Sequence, residues 1–81
     1  MFHTYIIYSE SIDKFYVGCT HNLTLRLERH NNGWGKNSSR GIPWKLVYSE
    51  AFSSKSEAIK RENEIKKKKS RKYIESLIAK T

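Results

Sequence analysis

The sequence predicts a small α+β domain in the order β-β-α-β-α-α, and three observations carry that reading. Two runs rich in β-branched and aromatic residues flank a short polar break near the N-terminus, and a later stretch alternates apolar and polar side chains. Three further segments place apolar residues at helical spacing behind capping residues. With 81 residues the chain has room for one domain, 1–81, and not for a second. Folding at this size buries only about 60% of the unfolded chain's surface, so a deep, enclosed active site is not expected.

Phe2 to Tyr8 reads as the first strand, Ser9 to Asp13 as the break, and Lys14 to Gly18 as the second strand of a β-hairpin. From Asn22 to about His30, Leu23 and Leu27 recur at helical spacing behind the candidate caps Thr20 and Asn22, with Leu25 off to one side. Asn31 to Pro43 holds three of the four glycines and the only proline, which makes it a long loop for so small a domain. Trp44 to Tyr48 alternates and supplies a third strand that joins the hairpin. Ser54-Lys55-Ser56-Glu57 is a capping box opening a helix that runs into Lys66-Lys67-Lys68-Lys69, and Ser70 breaks and recaps it. Tyr73, Ile74, Leu77 and Ile78 form the apolar stripe of a closing helix.

Sixteen Lys and Arg against eight Asp and Glu leave a net charge of +8, which points to a polyanionic partner, nucleic acid before an acidic membrane. The excess is concentrated after residue 54. Four consecutive lysines cannot all face one way, because neighbours step about 100° around a helix, so about two of them reach a phosphate backbone. One cysteine, Cys19, excludes an internal disulfide, and the absence of an export-type N-terminus fits a cytoplasmic setting. No window is long and apolar enough for a membrane span, and no C-x-x-C or paired-histidine spacing suggests structural zinc.

Tyr5 and Tyr16 can project phenols from one face of the sheet or serve as cross-strand packing, and Gly18 permits a close approach beside them. Arg26 and His30, four apart, share one face of the first helix and suit a phosphate, the guanidinium as a fork of donors and the imidazole as a proton carrier. Glu62 either pairs with Lys66 or holds Mg²⁺ through one contact plus waters. Trp34, between two glycines, can stack on an unpaired base, wedge into a duplex step or fold back over the core edge, whereas Trp44 after Pro43 reads as packed.

In order along the chain, "HTY" at 3–5, "YVG" at 16–18, Arg26 with His30, and "KRENEIKKKKSRKYIESLI" at 60–78 resemble the GIY-YIG nuclease superfamily, in particular its small single-domain members. The resemblance implies a three-stranded antiparallel sheet flanked by helices. It also implies one site for metal-dependent phosphodiester hydrolysis built from Tyr5, Tyr16, Arg26, His30 and Glu62, with one Mg²⁺ or Mn²⁺ ion on Glu62. His3 and Thr4 stand where the family has Gly and Ile, Cys19 stands where some members carry Lys, and a late Asn of other members has no counterpart after Glu62. Which of Tyr5, Tyr16 and His30 takes the proton stays open. Nucleic-acid contacts are expected at Trp34, Lys36, Lys66, Lys67, Lys69 and Arg71, with DNA favoured over RNA, no membrane, and a protein partner as one source of specificity. The rival readings are a binding module that keeps the fold without catalysis and a basic adaptor for an acidic protein.

Overall fold

The computed structural model describes residues 1–33 and 39–79. Its elements are β1 (Phe2–Ser9), β2 (Lys14–Thr20), α1 (Leu23–Asn31), a 3-10 turn (Ser39–Gly41), β3 (Trp44–Phe52), α2 (Lys55–Lys68) and α3 (Arg71–Ala79). The three strands form one sheet in the order β2-β1-β3, and both pairings are antiparallel. Strand β3 runs four residues past Tyr48. Its ladder with β1 continues to the Phe2–Phe52 pair across a register shift between Ile6 and Ile7. Apolar alternation cannot signal that extension, because Ser49 and Ala51 are exposed and the segment is held by backbone pairing and by polar contacts of Glu50.

As the central strand, β1 is buried on both faces, and its alternation sorts two cores. Ile6 packs with Val17, Ile65 and Leu77, surrounded by Phe15, Val47, Tyr48, Tyr73 and Ile74, beneath α2 and α3. Tyr5 and Ile7 pack with Trp44, Leu23 and Leu27 beneath α1. Leu25, off the stripe, is exposed as its spacing predicts.

The caps fall where the sequence puts them. Asn22 Oδ1 accepts from the Leu25 amide at 3.0 Å, and the Ser54 hydroxyl accepts from the Glu57 amide at 3.3 Å. Helix α2 ends when Lys69 turns into the left-handed region at φ 48°, and the Ser70 hydroxyl then accepts from the Tyr73 amide at 3.2 Å to start α3. Arg61 ties the layers together, with Nε donating to Glu50 at 2.9 Å and a terminal nitrogen donating to the Tyr73 hydroxyl at 3.1 Å.

Arg71 is placed differently from the phosphate contact expected of it. Its guanidinium forms a two-pronged pair with Asp13, at 2.6 and 3.2 Å, and lies 5.1 Å from the centre of the Phe15 ring. A side chain so engaged ties the hairpin turn to α3. Among the described residues no helix is long and apolar enough to cross a membrane.

Candidate active site

Tyr5 on β1 lies opposite Gly18 on β2, and Ile7 lies opposite Tyr16, so both phenols and the glycine share the α1 face. A Cβ at position 18 would land on the Tyr5 hydroxyl and 2.6 Å from Cζ. Glycine is therefore a space requirement there: the phenol occupies the volume a side chain would fill.

The buried Tyr5 hydroxyl is hydrogen-bonded to His30 Nε2 at 3.1 Å. His30 comes from the last turn of α1, and its ring meets that of Tyr16 edge-on with centroids 4.8 Å apart. Trp44 completes the group, with its ring 6.3 Å from Tyr16 and 6.4 Å from His30. The neighbouring Asn31 fixes this geometry. Its Oδ1 accepts from the Trp44 amide at 2.6 Å, and its Nδ2 donates to the Trp44 carbonyl at 3.2 Å. The end of α1 is thereby clamped to the start of β3, which orients His30. Sequence reasoning took Asn31 only as the start of a loop, and no periodicity links it to a partner thirteen residues away.

Burial pushes the Tyr5 phenol well above its ordinary pKa, while the Arg26 cation pulls it part of the way back. Burial also holds His30 below the usual imidazole range, and Arg26 adds to that effect. At neutral pH the pair is thus a protonated phenol against a neutral imidazole. Half-buried Arg26 has no carboxylate partner among the described residues. The Glu62 side chain is 18% exposed and accepts from Lys66 Nζ at 2.6 Å. Arg26 and Glu62 both act electrostatically on Tyr5 and on Cys19.

The five residues do not share a single face of the sheet. Tyr5, Tyr16 and His30 lie on the α1 face, whereas Glu62 belongs to α2, which packs on the opposite face. The groups meet around the edge strand β2, where Cys19 feels Glu62 from one layer and Arg26 from the other. Of the other expected contacts, Trp34 and Lys36 lie outside the described residues. Lys67 lies beside Ile59, Lys60 and Asn63 on the outer face of α2, away from this group, and Lys69 is exposed at the helix end.

The model of the GIY-YIG catalytic domain matches residues 1–74. This chain belongs to the GIY-YIG family. It is similar to a UPF0213 protein of Clostridium perfringens, 50% identical over 56 residues that cover 68% of this chain and 60% of that protein. A UPF0213 protein of Bacillus licheniformis is 39% identical over 77 residues, covering 90% of this chain and 79% of the relative. The solution NMR structure of a UPF0213 protein from Bacillus halodurans superposes with a TM-score of 0.59 at 34% identity, over 98% of this chain and 84% of that one.

GIY-YIG is a nuclease family that binds nucleic acid and in general uses a divalent metal. Two departures from the GIY-YIG motifs have local physical reasons here. Thr4, fully buried, donates to the Ala58 carbonyl at 2.6 Å and anchors α2 beneath β1, a bond that Ile cannot make. Cys19 has its thiol pushed up by burial and by Glu62, so it stays protonated and does not replace a lysine. The donor set suits a magnesium-type ion. No cluster of three or more His, Cys, Asp or Glu exists among the described residues, but Mg²⁺ is commonly held by one or two carboxylates together with waters and substrate phosphate. Glu62, little exposed and facing the Lys66 cation, is the carboxylate that would hold such an ion.

Proposed function

We propose that this chain is a divalent-metal-dependent endonuclease that hydrolyses phosphodiester bonds, with DNA as the favoured substrate and Tyr5, Tyr16, Arg26, His30 and Glu62 as its working residues. The observation that carries the reading is the buried Tyr5–His30 hydrogen bond lying within the fields of an Arg26 cation and a Glu62 carboxylate. A tyrosine buried for packing needs one hydrogen-bond partner, but neither the cation nor the carboxylate.

Arg26, without a carboxylate partner among the described residues, is the group to hold a non-bridging phosphate oxygen as charge develops on it. Tyr5 is a poor base by itself, because burial favours the protonated phenol. Neutral His30 removes the difficulty: the Tyr5 hydroxyl passes its proton to Nε2 while taking one from the attacking water, so no free phenolate need persist. Tyr16, 38% exposed and packed against His30, orients that water at the mouth of the site. Glu62 would hold one Mg²⁺ or Mn²⁺, which when bound polarises the phosphate and eases departure of the leaving oxygen. Lys66, Lys67 and Lys69 supply longer-range attraction for the nucleic acid, and a protein partner is one source of specificity.

The test is a panel of labelled linear, branched and single-stranded DNAs and RNAs with Mg²⁺, Mn²⁺ or EDTA, run on wild type and Glu62→Gln. Metal-dependent cleavage by wild type and a loss of at least ~100-fold in the variant, about 2.7 kcal/mol of transition-state stabilisation, are expected. Folding should change by only a few tenths of a kcal/mol, the worth of the exposed Lys66 pairing. Wild-type cleavage by Glu62→Gln would remove Glu62 from the mechanism, and no metal-dependent cleavage of any substrate would leave a binding module.

A further inference from the structure

A second concavity opens beside Tyr16, at the hairpin end of the α1 face. It is a cleft of about 250 Å³ lined by Ile12, Lys14, Phe15, Tyr16, Arg40 and Trp44. The GIY-YIG motifs do not account for it, since apart from Tyr16 and Trp44 none of these residues belongs to the site described above. We infer that this cleft receives one unpaired nucleotide next to the phosphate held by Arg26. The inference deepens the nuclease reading and rests on it for the identity of the neighbouring phosphate.

Four features define the occupant. The cleft is smaller than the roughly 300–1,000 Å³ of pockets for drug-sized ligands, so it suits a single ring system. Its walls are aromatic and aliphatic, the surface on which a base stacks irrespective of sequence. Its charged residues are both cations, Lys14 and Arg40, and neither pairs with a carboxylate among the described residues. A phosphate attached to the base would complete them. Tyr16 is also a shared wall, because it packs on His30 at 4.8 Å and lines the cleft as well, so a strand can run from one site into the other.

The cleft is held in shape before anything enters. Gly41 of the 3-10 turn lies so close to the Trp44 indole that a Cβ would come within 2.6 Å of Cε2 and 3.0 Å of the Ser9 Cβ. The Asn31 clamp fixes the Trp44 backbone from the other side. A base in a duplex has both faces covered by its neighbours, so only a splayed or single-stranded base can offer a face here. The substrate class that follows is nucleic acid with at least one unpaired nucleotide beside the cut.

The test is binding in EDTA, where cleavage does not intrude, by fluorescence anisotropy. The probes are a short labelled oligothymidylate, an abasic oligomer of equal length, and a duplex. Wild type should prefer the base-bearing single strand to the abasic one by about tenfold, and Ile12→Glu, which crowds and charges the wall, should abolish the preference. The milder Ile12→Ala should reduce it, which guards against a fold defect in the first variant, and circular dichroism checks both. Lys14→Ala with Arg40→Ala should lower the single-strand salt slope by about 0.7, the share of the one phosphate between them. Equal binding of base-bearing and abasic strands by wild type, or an undiminished preference in Ile12→Glu, would overturn the cleft assignment. If metal-dependent cleavage nonetheless occurs, the nuclease reading survives that result. A base preference in a protein that cleaves nothing would overturn the nuclease reading and leave the cleft as a nucleotide-binding site.

Discussion

The two faces of the sheet are built from different materials. Beneath α2 and α3 the buried cluster of Ile6, Val17, Ile65 and Leu77 carries no side-chain polar atom, the nearby buried Thr4 hydroxyl is satisfied by the Ala58 carbonyl, and Tyr48 and Tyr73 turn their hydroxyls to Glu50 and Arg61 at the margin. Beneath α1 the buried group includes a phenol and an imidazole bonded to one another, with alongside them a guanidinium that has no carboxylate partner among the described residues. An aliphatic core gains stability from every atom it buries, whereas a buried phenol and imidazole lose solvation that one hydrogen bond restores only in part. One face therefore holds the fold, and the other uses that stability to keep polar groups in a dry, charged setting. The shifts on Tyr5 and His30 are the signature of that use.

Substitutions can break this contrast. The largest stability loss should come from Ile6→Ala, because Ile6 is wholly buried at the centre of the aliphatic face. A cost of about 2–5 kcal/mol is expected. In a domain of this size each kcal/mol lowers Tm by roughly 4–8 °C, which calorimetry will resolve. Gly18→Ala should be intermediate, at about 1–3 kcal/mol, because its Cβ displaces the Tyr5 ring. Unlike Ile6→Ala, it should also suppress cleavage in the molecules that remain folded, since the phenol it moves is the one on His30. Denaturation and single-turnover rates on the same sample separate the two effects.

The smallest effect is a pH slope. His30 has its pKa lowered on folding, so below its unfolded value, about 6.5, the unfolded chain takes up a proton that the native state resists. Stability should accordingly be fully present above about pH 7, fall as the pH drops through 6.5, and level off below the folded pKa. His30→Gln should flatten that part of the curve in Tm measured at fixed ionic strength. An unchanged slope would mean that His30 is not the group responsible.

Much of this arrangement is legible in the sequence, because it depends on local signals. Asn22, Ser54 and Ser70 mark helix starts through hydrogen bonds to amides three residues on, and the Leu23–Leu27 spacing marks the face that packs. The motif resemblance brings Tyr5, Tyr16, Arg26, His30 and Glu62 to attention as a set. Partners brought together by tertiary packing stay hidden. Nothing near Asn31 announces Trp44, nothing near Arg71 announces Asp13, and the approach of Glu62 from the opposite layer depends on how α2 wraps the β2 edge. Charge counting likewise places attention on the lysine run, while Lys14 and Arg40, scattered in sequence, share a cleft only through the fold.

The central claim, that the α1 face is arranged for chemistry, is tested most directly by the cleavage rate of Tyr5→Phe. The substitution keeps the ring over Gly18 and removes only the hydroxyl bonded to His30. Stability should change by about 1 kcal/mol, the net worth of one buried hydrogen bond. Single-turnover cleavage should fall by ~100-fold or more while nucleic-acid affinity in EDTA holds, since the variant loses proton transfer and no phosphate contact. Cleavage at the wild-type rate by Tyr5→Phe would contradict the account, leaving the buried phenol–imidazole pair as packing and moving the proton transfer elsewhere.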